Sequence, residues 1–182
     1  MERNALRPLL AEQPSGYRSQ FSGYRSFDVT LWPKFHRNAV GNQKLMSERR
    51  VDAFFYGLFM DVAVLRDSGV TPIEPRRAYV DDFAVRIGQR ATLVPSVGGR
   101  AYGMLIALTQ SELERLYAAP GLDLYSPEAV LAHPLTGEPS PALCYNLREP
   151  PRAEERNADY AARLQRVLRS LEFPWEYIDS IG

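Results

Sequence analysis

The chain has 182 residues, of which 45% are hydrophobic, and this suits one folded domain with some additional sequence. Its formal net charge is zero, so the chain as a whole has neither the charge of a polyanion-binding protein nor that of an acidic tail. A single cysteine excludes an internal disulfide and suits a reducing compartment, and two distant histidines without a cysteine cluster argue against a zinc site.

No feature of the sequence directs the chain to a membrane. The N-terminus lacks the apolar run of a signal peptide, and no apolar stretch approaches the length of a membrane span. We therefore expect a cytoplasmic protein with no membrane partner, no metal and no other cofactor. The sequence leaves the oligomeric state open.

Residues 1–45 differ in composition from the rest of the chain. Basic residues outnumber acidic ones there, apolar residues follow no period, and Ser15–Ser19 (SGYRS) recurs as Ser22–Ser26. Arginine beside tyrosine can bind single-stranded nucleic acid through charge and stacking. The composition favours a disordered tail over that role, and a second alternative is that translation begins at Met46.

The first elements of the folded domain surround a glycine. Val51–Tyr56 has the pattern of a buried strand, Gly57 interrupts the apolar run, and Met60–Asp67 has the spacing of a short helix. A strand often stops at glycine because the backbone turns sharply or a neighbouring group approaches closely. Such a turn leaves backbone N–H groups available to hold a carboxylate, although a plain strand-to-helix turn is the more common case.

Further strands follow, with one capped helix among them. Thr109 and Glu112 form a capping box at the start of a helix that runs to about Ala118, and Pro120-Gly121 ends it. The other predicted strands, two of them separated by a turn at 96–99, are 78–87, 91–94, 100–108, 125–135 and 142–147.

The last part of the chain predicts a helical extension that packs on the domain. Asn157 can cap a long helix with one apolar stripe. The stripe consists of Tyr160, Leu164, Val167, Leu168 and Leu171. Trp175 and Ile178 come after it, and we expect both to pack against the domain.

These elements predict an α+β fold built on a small, mixed or antiparallel, partly closed β-barrel with flanking helices. A small twisted sheet curls in this way because closure hides its unpaired edges. The predicted organisation is a disordered or over-extended tail at 1–45, a domain at 46–148 and the helical extension at 149–182.

The order of three motifs resembles the gamma-glutamylcyclotransferase-like family. The first strand ends in Tyr56-Gly57-Leu58, a central strand contains Gly98–Leu105 (GGRAYGML), and a return strand ends in Tyr145-Asn146-Leu147. The resemblance covers about residues 51–147. It implies a small-molecule gamma-glutamyl ligand whose amine attacks its own side-chain amide, giving 5-oxoproline and releasing an amine.

The resemblance also implies which residues form the site. In the family, the turn after the first strand holds the substrate through backbone donors. The substrate-binding residues predicted on this basis are Tyr56, Gly57, Leu58, Phe59 and Tyr125.

The family's catalytic glutamate, which transfers the proton, has no counterpart at the expected position. The family has Glu-Gly after the middle helix, whereas this chain has Pro120-Gly121. Asp123, three residues further on, is the candidate replacement, and the alternatives are Glu114, Glu128 and an inward-facing Asp81 or Asp82. Glu112 is already accounted for by the capping box.

Three functions therefore stay open. The chain is an enzyme of the cyclotransferase class, a non-catalytic module that binds small ligands on the same fold, or an RNA-associated protein that uses its basic tail. We expect no nucleic-acid partner, because the tail composition favours disorder. A buried Cys144 in a strand is expected to pack rather than to act as a nucleophile.

Overall fold

A computed structural model of the protein describes residues 49–182. The predicted tail at 1–45, its two repeats and the alternative start at Met46 lie outside the described residues. The RNA-associated function depends on that tail and therefore stays a prediction. Within residues 49–182, no helix combines the length and the apolar character that a membrane crossing requires.

Five strands close into a barrel in the order β1-β3-β2-β4-β5. The strands are β1 (Arg50–Phe55), β2 (Ile73–Ile87), β3 (Ala91–Thr109), β4 (Tyr125–Pro134) and β5 (Ser140–Leu147). Neighbouring strands are antiparallel, except that β1 and β5 pair in parallel where Ala53 lies opposite Leu143. The prediction of an α+β fold with a small mixed barrel is confirmed, and the barrel is fully closed.

Four helices and one 3-10 turn accompany the barrel. The helices are α1 (Val62–Asp67), α2 (Gln110–Tyr117), α3 (Ala158–Ser170) and α4 (Trp175–Ser180), and the 3-10 turn is Leu58–Met60. The Asn157 side chain accepts from the backbone N–H of Tyr160 at 3.0 Å, so the predicted cap of the long helix is confirmed.

Strands β2 and β3 form one long hairpin. The sequence predicts two separate strands in place of β3. The two strands predicted at 91–94 and 100–108 are parts of the single strand β3. Gly98, at φ +73°, lets the strand continue through residues that resemble a turn, and Asp82 of β2 forms an irregularity at φ 63° nearby. Asp81 and Asp82 are both exposed there, so the expectation that one of them points inward is wrong.

The predicted capping box at the start of α2 is confirmed. The backbone N–H of Glu112 donates to the Thr109 hydroxyl at 3.2 Å, and the Glu112 carboxylate accepts from the backbone N–H of Thr109 at 2.8 Å. The same carboxylate accepts from the backbone N–H of Thr71, also at 2.8 Å. Glu112 is only 7% exposed, so this carboxylate serves the fold.

The C-terminal helices contribute side chains to the hydrophobic core. Leu164 and Leu168 of α3 are completely buried, and Ile178 of α4 is buried as expected. Trp175 is 68% exposed, so the expectation that it packs against the domain is wrong. Residues 174–176 at the start of α4 are all exposed, whereas Ile178, one turn later, reaches the core.

Candidate functional site

A cavity of about 230 Å³ lies where β1 ends. Its walls come from the turn after β1, the start of β3, the end of α2, β4, β5 and helix α3. All five residues predicted to bind substrate line it: Tyr56, Gly57, Leu58, Phe59 and Tyr125. The structure brings them together, and their role in binding stays a prediction.

Gly57 allows a close approach within this wall. Its backbone is extended, at φ −111° and ψ −155°, so the conformation itself does not require glycine. A Cβ added at this position would lie 3.0 Å from the hydroxyl oxygen of Tyr160. A side chain at this position would require the Tyr160 hydroxyl to shift by a few tenths of an ångström, so glycine leaves room for a side chain of α3. The backbone conformation does not support the explanation of a sharp turn.

The turn after Gly57 presents free backbone donors. Its carbonyl accepts from the backbone N–H of Met60 at 3.0 Å, which closes the 3-10 turn. The N–H groups of Gly57 and Phe59 have no hydrogen-bond acceptor among residues 49–182. Unpaired backbone donors beside a cavity are suited to receive an anionic or carbonyl oxygen of a ligand.

Tyrosine rings form much of the cavity wall. The rings of Tyr117 and Tyr145 stack with their centroids 3.6 Å apart, and Tyr125 packs at a tilt against Tyr117 with a centroid distance of 6.0 Å. The Tyr125 hydroxyl donates to the carbonyl of Ala91 at 2.8 Å. The Tyr56 hydroxyl lies 2.6 Å from the carbonyl oxygen of Tyr145, so hydrogen bonds fix two of these rings.

These tyrosines stay neutral at physiological pH. Burial raises the pKa of Tyr56, Tyr117 and Tyr125. Burial also raises the pKa of Tyr160, although a hydrogen bond from the Leu58 backbone and the nearby arginine charges oppose the increase. The hydroxyls can therefore donate or accept hydrogen bonds, but they do not serve as bases near pH 7.

The charges at the cavity are all positive. Among the described residues that line it, Arg90 and Arg163 are the charged ones, and none is a carboxylate. Within residues 49–182, neither guanidinium group lies within 4.0 Å of a carboxylate oxygen. Arg90 extends over Gly121, which lies in the left-handed region at φ +80° and has no side chain to obstruct it.

Several solved structures share this architecture. One, named gamma-glutamyl cyclotransferase, has a TM-score of 0.61 at 17% identity, covering 73% of this chain and 86% of its own. The chain has the gamma-glutamylcyclotransferase-like fold. An uncharacterized human protein gives a TM-score of 0.61 at 19% identity, covering 74% of this chain and 87% of its own.

A yeast protein, named as a gamma-glutamyl cyclotransferase specific to glutathione, gives a TM-score of 0.56 at 13% identity. The match covers 72% of this chain and 93% of the yeast chain. No family model and no curated protein sequence matches this chain. The resemblance noted from the sequence is thus confirmed for the gamma-glutamylcyclotransferase-like fold. Sequence identities this low establish a shared fold and do not establish a shared activity.

Asp123, the candidate replacement base, does not line the cavity of the gamma-glutamylcyclotransferase-like fold. Its exposed side chain accepts from the backbone N–H of Gly121 at 2.9 Å and so stabilises the turn after α2. The Arg148 guanidinium donates to the carbonyls of Asp123 and Leu124, and these hydrogen bonds also stabilise the turn. Pro120 is exposed within it. A catalytic role for Asp123 stays a prediction.

Cys144 is a packing residue in the core. It is completely buried in β5, and burial raises the pKa of its thiol to about 12. A thiol with so high a pKa is protonated at neutral pH and is a poor nucleophile. Residues 49–182 also contain no cluster of three or more His, Cys, Asp or Glu residues that could hold a metal ion.

Sequence reasoning missed the part of the site that α3 and the β2–β3 hairpin supply. Tyr160 and Arg163 are three residues apart on α3, so they project from one side of the helix toward the cavity. Their spacing was visible in the sequence, but Tyr160 fitted an apolar stripe and Arg163 a solvated face. Arg90 gave no local signal, because only the folded hairpin brings it to the cavity.

Proposed function

We propose that this cavity binds a gamma-glutamyl amide, or a related small amide or carboxylate, and converts it to 5-oxoproline slowly or not at all. The observation that supports the proposal is a tyrosine-lined cavity at the end of β1 with two arginines and no carboxylate among its described lining residues. Two structures of the same fold are named gamma-glutamyl cyclotransferases, and one name specifies glutathione.

The turn after β1 supplies the groups that would hold the ligand. The free N–H groups of Gly57 and Phe59 can donate to a ligand oxygen, and the tyrosine rings cover its methylene groups. A folded ligand held in this way has its amine near its own amide carbonyl. Positioning can lower the barrier to such an intramolecular attack substantially.

Proton transfer is the step that the cavity serves least well. Cyclisation moves a proton from the attacking nitrogen to the leaving nitrogen, and a positioned acid–base group contributes about a hundred- to ten-thousand-fold in rate. The lining tyrosines are neutral near pH 7, and a guanidinium group offers hydrogen-bond donors but no acceptor for a proton. We therefore infer that binding persists while turnover is weak, which makes a small-ligand-binding module the nearest alternative.

Binding can be tested at Gly57. We expect calorimetric titration with gamma-glutamyl amino acids to show binding to the parent chain and a loss of at least tenfold in Gly57→Val, because the added side chain meets Tyr160. Gly57→Ala, which adds only Cβ, should fall between them. The extended backbone tolerates both substitutions, so circular dichroism should stay unchanged. Equal binding by Gly57→Val and the parent would show that the loop is only structural.

Turnover can be tested by measuring 5-oxoproline release from gamma-glutamyl amino acids and glutathione. We expect little or no release from the parent chain and a measurable increase in Pro120→Glu if the introduced carboxylate reaches the ligand. Asp123→Asn removes the candidate replacement base and should abolish any residual release that depends on it. Robust release by the parent that survives Asp123→Asn would contradict both weak turnover and a catalytic role for Asp123.

A further inference from the structure

A second cavity, of about 620 Å³, adjoins the tyrosine-lined one and shares Arg90 with it. Its walls come from the end of β5, the segment that leads to α3, the turn of the β2–β3 hairpin and Leu124. Its volume falls within the roughly 300–1,000 Å³ typical of small-molecule sites, and its lining is more polar than that of the first cavity. The proposed function makes no use of this space.

Three arginines line the second cavity, namely Arg90, Arg148 and Arg152. Within residues 49–182, none of their guanidinium groups lies within 4.0 Å of a carboxylate oxygen. Guanidinium groups that share a space without a paired carboxylate repel one another, and a bound anion relieves that repulsion. Each planar group can also donate two parallel hydrogen bonds to a phosphate or carboxylate, so the three arginines are suited to bind an anion.

Two of these arginines are held against the same turn, the one that follows α2. The Arg148 guanidinium donates to the carbonyls of Asp123 and Leu124. The Arg90 guanidinium lies against Gly121, where the absence of a side chain leaves room for it. The two arginines come from different elements, so the fold brings their charges to one place before a ligand binds. Side chains fixed in advance lose less conformational entropy on binding.

Two carboxylates also line the second cavity, and their positions favour a ligand with hydroxyl groups. One oxygen of Glu155 accepts from the backbone N–H of Arg152 at 2.9 Å, and the other would lie 2.8 Å from a Cβ on Gly88 of the hairpin turn. Glu149 is exposed, and its carboxylate can accept from a ligand hydroxyl. Leu124, which is 52% exposed, offers an apolar surface to the carbon atoms of a ligand.

We propose that the second cavity binds a phosphorylated polyol, such as a sugar phosphate or a nucleotide. Arg90, Arg148 and Arg152 bind the phosphate, and Glu149 accepts from hydroxyl groups of the polyol. A phosphate suits three arginines better than a carboxylate does, because it carries close to two negative charges and has three acceptor oxygens. This site is separate from the turn after β1, so the inference does not depend on the proposed function.

Matched probes test the inference. Ribose and ribose 5-phosphate differ by the phosphate alone, and inorganic phosphate lacks the polyol. In calorimetric titrations at low salt, we expect the parent chain to bind ribose 5-phosphate about tenfold or more tightly than either of the other two. AMP distinguishes the two sources of the ligand, because tighter binding of AMP than of ribose 5-phosphate identifies a nucleotide and no tighter binding identifies a sugar phosphate. Added salt should weaken the binding of ribose 5-phosphate, because it screens the exposed arginines.

Substitutions assign the binding to this cavity. Arg152→Gln should weaken ribose 5-phosphate binding several-fold without loss of stability, because the Arg152 guanidinium donates no hydrogen bond within residues 49–182. A double variant with Arg148→Gln added should bind ribose 5-phosphate and ribose within about twofold of each other. Arg148→Lys, which keeps the charge without the planar group, should retain part of the affinity. The matched control is Arg166→Gln, an exposed position on α3 that lines neither cavity, and it should leave the affinity unchanged.

Three results would overturn the inference. Equal affinity of the parent chain for ribose and ribose 5-phosphate would exclude recognition of the phosphate. Equal affinity for inorganic phosphate and ribose 5-phosphate would exclude recognition of the polyol. Full affinity for ribose 5-phosphate in the double variant would show that the phosphate binds elsewhere. Melting temperatures identify a variant that fails to fold, and in that case Arg152→Gln decides alone, since unchanged affinity there would also overturn the inference.

Discussion

The two ends of helix α2 use charge in opposite ways. At its start, Glu112 is buried and accepts hydrogen bonds from the backbone N–H groups of Thr109 and Thr71. At its end, the Arg90 guanidinium lies against Gly121 of the turn that follows the helix. Arg90 lines the cavity, and no carboxylate is among the described residues that line it. A charge whose hydrogen bonds are satisfied stabilises the fold, whereas an uncompensated charge beside a cavity is available to a ligand.

The environment of Glu112 sets its protonation. Burial raises the pKa of this carboxyl, but the hydrogen bonds from Thr109 and Thr71 and the charge of Arg50 together outweigh burial and lower it. Arg50 lies 3.5 Å away and is itself partly exposed, so the backbone donors are the closer partners. Glu112 therefore stays ionised at neutral pH, and its carboxylate oxygens are occupied by hydrogen bonds that stabilise the start of α2.

The largest expected effect on stability is at the start of α2. Glu112→Ala should lower the free energy of unfolding by about 2 kcal/mol, because it removes half of a capping box and leaves the partly buried N–H groups of Thr71 and Thr109 without their acceptor. Urea denaturation at pH 7 measures the change. The matched control is Glu114→Ala on the same helix, where the exposed carboxylate bonds only Gln110 and the expected change is below about 0.5 kcal/mol. An equal loss of unfolding free energy in the two variants would contradict the expectation that the buried Glu112 stabilises the fold more than the exposed Glu114.

The Glu112 contribution should also depend on pH. Its folded-state pKa is lowered, so the stabilisation is fully present above the ordinary glutamate pKa and is lost as pH falls through the folded-state value. The difference in stability between the parent chain and Glu112→Gln should therefore shrink at acid pH. Urea denaturation of both proteins between neutral pH and pH 3 measures it. A difference that is constant over this range would show that the carboxylate charge contributes nothing.

A smaller effect on stability, coupled to ligand binding, is expected at the other end of α2. Gly121→Ala should cost about 1–2 kcal/mol, because alanine is strained at positive φ. Its Cβ would also displace Arg90 from the cavity wall, so affinity for gamma-glutamyl amino acids should fall several-fold.

Gly69 provides the control for that substitution. It follows α1 at φ +79°, and a Cβ there would meet no atom within 4 Å. Gly69→Ala should therefore cause a similar loss of stability and leave ligand affinity unchanged. A loss of affinity in both variants would indicate that backbone strain, rather than displacement of Arg90, weakens binding.

The smallest expected effect comes from removing residues before Met46. The partners that define the two ends of α2 lie within residues 49–182. A chain that begins at Met46 should therefore melt within a few degrees of the full chain in differential scanning calorimetry. A large decrease in melting temperature would show that residues 1–45 contribute to the core.

The sequence by itself determined the features that depend on near neighbours in the chain. The capping box of Thr109 and Glu112 spans four residues, so residue types alone identify it. The strand that stops at Gly57 and the Asn157 cap are local in the same sense. The order of such features was enough to indicate the fold, although the Gly98 segment was mistaken for a turn because only pairing with β2 shows that the strand continues.

Only the tertiary structure decided how the site is composed. Barrel closure depends on the parallel contact of β1 with β5, which joins Ala53 to Leu143 across most of the domain. The same closure, with α3 packed beside it, brings Arg90, Tyr160 and Arg163 to one cavity. The positions of these three side chains follow from the packing of the core beneath them. A short sequence pattern cannot predict where such long-range packing places an exposed charge.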